Sequence, residues 1–203
     1  MFSLQKPTVE SIRRFLKKQV VLDFSYPAVG ATATSLPTNY VTDRTRIILG
    51  SGEPVFLAAK AALQRWKHFQ LGWVEPWPPE TPIQSGEVVA IIAWTAGLWT
   101  LNCCRIVYVV DEAGPVSKFG FAYGTLPGHV ESGEELFQIE WDRYTNSVCY
   151  DILAFSRPNH FLTRLGYPLV RHTQKRFGRD SAAAMFRAVN SASPLPAIRQ
   201  ITG

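Results

Sequence analysis

No stretch of this chain runs apolar for the roughly 20 residues that a membrane helix requires, and its first residues alternate charge with hydrophobe where a secretory leader would be continuously apolar. Both features point to a soluble cytoplasmic protein that does not span a membrane. Cysteine is scarce. Cys103, Cys104 and Cys149 form an odd set, and the first two would point to opposite faces of a strand, so a disulfide framework is not expected. Internal repeats and low-complexity segments are missing. Gly50-Ser51-Gly52 precedes a helix but lacks the third glycine of a dinucleotide fingerprint and the lysine of a P-loop. It reads as a plain turn, with an anion cradle as the alternative. Acidic residues nearly vanish late in the chain, where Asp180 alone accompanies Arg157, Arg164, Arg171, Lys175, Arg176, Arg179 and Arg187. The net charge of +5 is therefore local. Such a face is either solvated helix surface or a dock for an anionic surface. No nucleic-acid motif accompanies it, so nucleic acid is not an expected partner.

What is present suffices for a core: 203 residues, 46% hydrophobic and 12% aromatic, fit one domain better than two. The reading is a single domain over 1–203, with an N-terminal helix and extended arm (1–44), a core (45–190) and a tail (191–203). Ile12, Phe15 and Leu16 recur at helical spacing between Val9 and Gln19. Pro27, Gly30 and Pro37 punctuate an arm. Thr45 to Leu49 reads as a strand, followed by a helix carrying the apolar stripe Val55, Ala59, Ala62, Leu63, Trp66 and Phe69. Candidate strands then follow at 73–77, 88–94, 99–110, 116–123, 136–141 and 148–155, joined by short turns, which predicts an antiparallel meander. Val88 to Ile92 and Ile106 to Val110 are apolar on both faces, so the outer side needs a cover: the N-terminal helix and arm, or a second subunit in a homodimer. The final segment, Asn159 to about Val189, reads as helix with a kink or break at Gly166 and Pro168.

Strand, helix, six antiparallel strands and a long last helix have few stable arrangements, because a curved sheet must bury its concave face and only the last helix is long enough to cover it. The expected fold is α+β, a helix-grip: a curved antiparallel sheet wrapped around a long C-terminal helix. In element order the chain resembles the START-like or Bet v 1-like superfamily, which implies a ligand cavity between sheet and helix. At the level of motifs it is similar to an uncharacterised protein family of bacteria and plants, UPF0548. The resemblance is carried by Phe24-Ser25-Tyr26, Leu49-Gly50-Ser51-Gly52, Trp66-Lys67-His68-Phe69, Gly72-Trp73, Arg105-Ile106-Val107-Tyr108, Tyr123-Gly124-Thr125-Leu126-Pro127-Gly128-His129, Gly133-Glu134-Glu135, Phe155-Ser156-Arg157-Pro158 and Gly166-Tyr167-Pro168. That family brings no activity, cofactor or catalytic residue with it.

Chemistry concentrates in a predicted loop from Tyr123 to Glu135, where three glycines and a proline surround His129, Glu131, Glu134 and Glu135. One imidazole and several carboxylates are ligand types for zinc, manganese or iron, but the spacing matches no standard ligand motif and no metal is assigned. Glycines 124, 128 and 133 are read as positions of positive backbone angle. Arg157, held extended by Pro158, can clamp a carboxylate or phosphate, or pair with Glu134 or Glu135. Arg105 falls on an apolar strand and needs a partner, with Asp151 and Glu140 as candidates. Tyr123, Tyr150, Trp141 and Trp94 offer aromatic walls with polar tips. The candidate ligand-binding set is Tyr123, Thr125, His129, Glu134, Glu135, Trp141, Tyr150 and Arg157, around a hydrophobic small molecule or lipid. His129 and Tyr123 are the candidate acid–base pair if the protein is instead an enzyme acting on a cyclic or polyketide-like substrate. No cofactor is identifiable from the residues.

Overall fold

In a computed structural model the described residues are 2–159, 166–190, 196 and 198–202. In chain order the elements are β1 (Phe2–Ser3), α1 (Val9–Gln19), β2 (Val41–Ser51), α2 (Glu53–Gln64), β3 (Val74–Trp77), β4 (Val88–Thr95), β5 (Leu98–Glu112), β6 (Val116–Thr125), β7 (Glu131–Asp142), β8 (Ser147–Pro158), α3 (Tyr167–Val189) and β9 (Arg199–Thr202), with 3-10 turns at Ala31–Ala33 and Lys67–Phe69. The strands form one antiparallel sheet in the order β3-β4-β5-β6-β7-β8-β2-β9, with β1 added to β5. Register shifts at Ile48/Gly50 in β2 and Ile106/Tyr108 in β5 are bulges that deepen the curl of the sheet. The architecture is the helix-grip. No helix among the described residues is long and apolar enough to cross a membrane.

Of the stretches doubly apolar in sequence, the one at 88–92 is covered on its outer side by the chain itself, whereas Val109 in the other stays exposed. Thr8 caps α1 by accepting from the Ser11 backbone N–H at 3.2 Å. The helix then lays Ile12, Phe15 and Leu16 on Ala90, Ile92 and Leu101 of β4 and β5. Arg105 closes the far end of that helix, donating to the carbonyls of Val20 (2.8 Å) and Leu22 (2.9 Å). Its expected carboxylates are engaged elsewhere, Asp151 by Arg44 and Arg46 and Glu140 by Arg46. The arm packs Tyr26 and Ala31 on Phe155. Tyr26 lies so close to the sheet that a Cβ at Gly124 would stand 2.0 Å from its hydroxyl oxygen. Gly124 is thus required for close approach, and neither it nor Gly128 or Gly133 has a positive φ.

The concave face is divided. At one end α2 and the 3-10 turn after it drive Phe56, Trp66, His68 and Phe69 into Phe119, Phe121, Phe137, Ile139 and Tyr150, all nearly or fully buried. At the other end the floor is left to smaller side chains, and α3 spans both halves. Gly166 and Pro168 begin α3 rather than kink it, because proline suits a first turn where its missing N–H has no partner to lose. Gly178 lets the helix approach β2, where a Cβ would stand 2.5 Å from Thr45 Oγ1. The residues between Pro158 and Gly166 that sequence reading assigned to this helix lie, apart from Asn159, outside the described set, as does Arg164. Two short strands, β1 and β9, fall in segments read as arm and tail.

Candidate functional site

Strand alternation builds the hollow half. Asp43 on β2, Ala154 on β8, Glu135 on β7 and Tyr123 on β6 are directly paired neighbours, so they form one transverse row across the concave face. The next row toward the core is Thr45, Ile152, Phe137 and Phe121. Beyond the first row stand Ser156 and Glu131. Between these rows and α3 lies a cavity of about 280 Å³, walled by Phe69, Trp73, Ile91, Ile152, Val170 and Phe177 and with Tyr123, Glu131, Glu135 and Gln174 at its polar side. Ala96, Leu98 and Leu169 are lining residues that are also exposed, and they mark its mouth.

Helix α3 is latched along the rim by side-chain hydrogen bonds. Arg171 holds Asp43 in two parallel bonds of 2.5 and 2.6 Å, a fork that fixes both orientation and distance. The same guanidinium donates to Gln174 Oε1, and Gln174 Nε2 donates to Ser156 Oγ at 2.9 Å and to Glu131. On the opposite side Trp73 Nε1 donates to Asp180 at 2.9 Å under the guanidinium of Arg176.

Inside, Tyr123 Oη donates to Glu135 Oε2 at 2.9 Å. That is the single hydrogen bond Glu135 receives among the described residues. Burial with little compensation raises the Glu135 carboxyl to about 8 and that of Glu131 to about 7, although the Arg171 guanidinium draws Glu131 back. Burial lowers the His129 imidazole to about 4, so it is neutral. His129 Nδ1 lies 3.0 Å from the Glu131 backbone nitrogen and 3.1 Å from its carbonyl oxygen, so the ring is tied to the Glu131 backbone.

The turn carrying this chemistry is shorter than its sequence suggests. β7 starts at Glu131, so the carboxylates lie on a strand and are sorted by alternation. Glu131 and Glu135 face the cavity. Glu134 turns the other way, 2% exposed, and accepts from Tyr26 Oη (2.6 Å), Gly30 N (2.7 Å), Thr32 N (3.0 Å) and Thr32 Oγ1 (2.5 Å). Its carboxylate anchors the arm and is not presented to a ligand. Thr125 and His129 border the cavity, with the Thr125 hydroxyl accepting from Gly133 N at 3.0 Å. Three other candidates stand outside the lining. Trp141 packs on Phe56 and donates to Asn146, and Tyr150 is wholly buried against Ser181. Arg157, on the outer face of β8, stacks on the Tyr40 ring at 4.6 Å. Of the basic C-terminal residues, Arg157, Arg171 and Arg176 are thus engaged within the fold. No cluster of three metal-ligating side chains exists among the described residues.

Sequence reasoning missed Asp43, read as part of the arm, and the helical face of the site. That face had a signal: Val170, Thr173, Gln174, Phe177 and Gly178 follow the i, i+3, i+4, i+7, i+8 spacing of one helix face, and all five line the cavity.

A family model described as a domain of unknown function (DUF1990) matches residues 25–184. A UPF0548 protein of Dictyostelium discoideum is 39% identical over 210 residues, covering 94% of this chain and 97% of its own. One from Arabidopsis thaliana is 40% identical over 157 residues, covering 75% of each chain. A third, from Deinococcus radiodurans, is 33% identical over 199 residues, covering 93% of this chain and 98% of its own. Among solved structures, the hypothetical protein jhp0584 from Helicobacter pylori superposes with a TM-score of 0.50 at 8% identity, over 83% of this chain and 96% of that one, a likeness of fold alone. Human STARD10 has a TM-score of 0.48 at 11% identity, over 91% and 80% of the two chains. For Ara h 8.0201 the values are 0.48 and 13%, over 75% and 99%.

Proposed function

The chain belongs to the UPF0548 family, and we propose that it binds a mostly apolar small molecule in the cavity between the sheet and α3. The observation that carries this reading is the division of the concave face. The fold fills one half with aromatic rings and keeps about 280 Å³ of the other half empty. Empty volume in a core forfeits dispersion contacts and destabilises, so a hollow with apolar walls and a few convergent polar groups is best explained by an occupant. Its size lies at the low end of the ~300–1,000 Å³ span of ligand pockets, which favours a compact molecule over a two-chain lipid.

The test has two arms. Native mass spectrometry of the purified protein looks for a copurifying small molecule. Titration with a neutral apolar fluorophore then compares the parent chain with Ala154→Trp, which places a large ring on the cavity floor. Saturable binding that is lost in Ala154→Trp supports the reading. Absence of binding in the parent, or equal binding in both, removes it.

A second reading, acid–base catalysis on a bound cyclic or polyketide-like substrate, is favoured by one contact, the hydrogen bond between Tyr123 and Glu135 at the polar side of the cavity. The carboxyl is the better proton-transfer group of the site, since its titration lies near neutrality whereas the neutral His129 ring is committed to the Glu131 backbone.

A further inference from the structure

We propose that the occupant is an amine, a compact apolar body ending in a protonated nitrogen that docks against Glu135. This deepens the binding reading above and rests on it. The argument is an inventory of charge. Asp43, Glu131, Glu134 and Glu135 are among the described lining residues, and neither lysine nor arginine is. Two of the four carboxylates are spoken for, Glu134 by the arm and Asp43 by the two-pronged grip of Arg171. Glu131 accepts from Gln174, a neutral amide. Glu135 has Tyr123 on one oxygen, and its other oxygen has no hydrogen-bond partner among the described residues.

At and above about pH 8, where Glu135 ionises, an anionic headgroup, whether a fatty acid or a phosphate, would enter beside a carboxylate and meet no lysine or arginine among the described lining residues. A neutral hydroxyl would find acceptors but leave the carboxyls uncompensated. An ammonium supplies the missing donor and the missing charge together, and a charge-assisted bond in a water-poor site is stronger than a neutral one. The aromatic faces of Tyr123, Phe69 and Phe177 add cation–π attraction for a nitrogen near Glu135. The apolar walls take the remainder of the molecule.

The ionisable groups around Glu135 are Tyr123 on β6, Cys104 on β5, Glu131 on the same strand, Asp43 on β2 and Tyr150 on β8, while α3 contributes Arg171, bound to Asp43. His129, which also lines the cavity, is neutral, and among these described groups the one cation, Arg171, is bound to Asp43. Since the empty site holds Glu135 protonated up to about pH 8, docking an ammonium at lower pH must expel that proton. Amine affinity therefore rises with pH toward 8.

Calorimetric titration with three probes on one skeleton tests this: 4-phenylbutylamine, 4-phenylbutan-1-ol and 4-phenylbutanoate, each with the parent chain, Glu135→Gln and Ala154→Trp. At pH 8 the amine is expected to bind about 10-fold or more tighter than the alcohol, with the carboxylate weakest. Glu135→Gln is expected to lower amine affinity about 10-fold while leaving the alcohol within about 2-fold. At pH 6.5, titrations in two buffers of different ionisation enthalpy are expected to show proton release with the amine and none with the alcohol, a readout that needs no variant. If the alcohol or the carboxylate matches the amine, or if amine binding survives in Ala154→Trp, the amine assignment is overturned. Alcohol binding confined to the cavity would then still support the broader reading. If no probe binds and the neutral fluorophore also fails, both fall.

Discussion

Glu134 and Glu135 are adjacent in the chain, and their carboxylates end on opposite faces of the sheet. Glu134 collects four hydrogen bonds from the arm, whereas Glu135 meets one tyrosine hydroxyl beside an open cavity. The pair separates a structural anchor from a cavity-facing carboxyl within two residues. Glu134→Ala leaves the Tyr26 hydroxyl, the Thr32 hydroxyl and two backbone N–H groups without their acceptor, and is expected to lower unfolding free energy by about 3–5 kcal/mol. Glu135→Gln is expected to fold with undiminished stability. Urea unfolding of both variants measures the contrast; equal losses would contradict it.

Stability should fall with rising pH on account of Glu131 and Glu135. Both have folded-state values raised, to about 7 and about 8, above the ordinary carboxylate value of 4.5. The folded chain therefore holds protons that the unfolded chain has released. Their stabilising contribution is complete below about pH 4.5 and is lost as pH climbs through 7 and 8. In Glu135→Gln the decline between pH 5 and 8 is expected to become shallower. Thermal midpoints at constant ionic strength across that window check the sign.

His68 works in the other direction. It is fully buried against Trp66, Phe69, Phe121 and Phe137, and neither ring nitrogen has a hydrogen-bond partner among the described residues. Burial lowers it from 6.5 to about 3. It therefore contributes stability above pH 6.5 that is lost as pH drops toward 3. Replacing it with a similarly sized apolar group removes two unsatisfied polar atoms. His68→Leu is expected to be neutral or to stabilise by about 1 kcal/mol, and to flatten the acid limb. A loss above about 2 kcal/mol at neutral pH would show that the nitrogens are satisfied in solution, for example by a buried water.

Gly133 is the point where the cavity floor cannot accept a side chain, since a Cβ there would stand 1.9 Å from the Phe155 carbonyl oxygen. Backbone rather than a movable side chain is the obstacle. Gly133→Ala is expected to part β7 from β8 locally at a cost of about 2–3 kcal/mol. Faster amide exchange at the β7 and β8 positions flanking residue 133 would register it, whereas unchanged exchange would argue against the close contact.

Much of this fold was legible because long strands with strict alternation declare both their existence and their faces. Phe119, Phe121 and Tyr123 were placed together from sequence and do share the concave face. The helix-grip followed from element order. What misled was punctuation. The three glycines between Tyr123 and Glu135 resemble a loop, but Gly124 and Gly133 are strand residues bared for close packing and only Gly128 lies in the turn, so alternation was not applied to Glu134 and Glu135. Asp43 was hidden because aspartate is depleted in strands and is held extended here by its pairing with Ala154 of β8. Trp141 and Tyr150 were assigned to the site by aromatic character and Arg157 by its place between a strand and Pro158, none of which reveals which end of a sheet a neighbouring helix will fill.

Because the aromatic plug secures the sheet at one end, the hollow end is freed from holding the molecule together. Ala93, Ala154 and Thr173 border open space rather than a packed neighbour's shape. Exchanges among small side chains at those three positions are expected to change the shape of the cavity and barely disturb the architecture. If the cavity takes a small molecule as proposed, the same scaffold can be retuned to a new guest by a handful of substitutions that leave Glu135 in place.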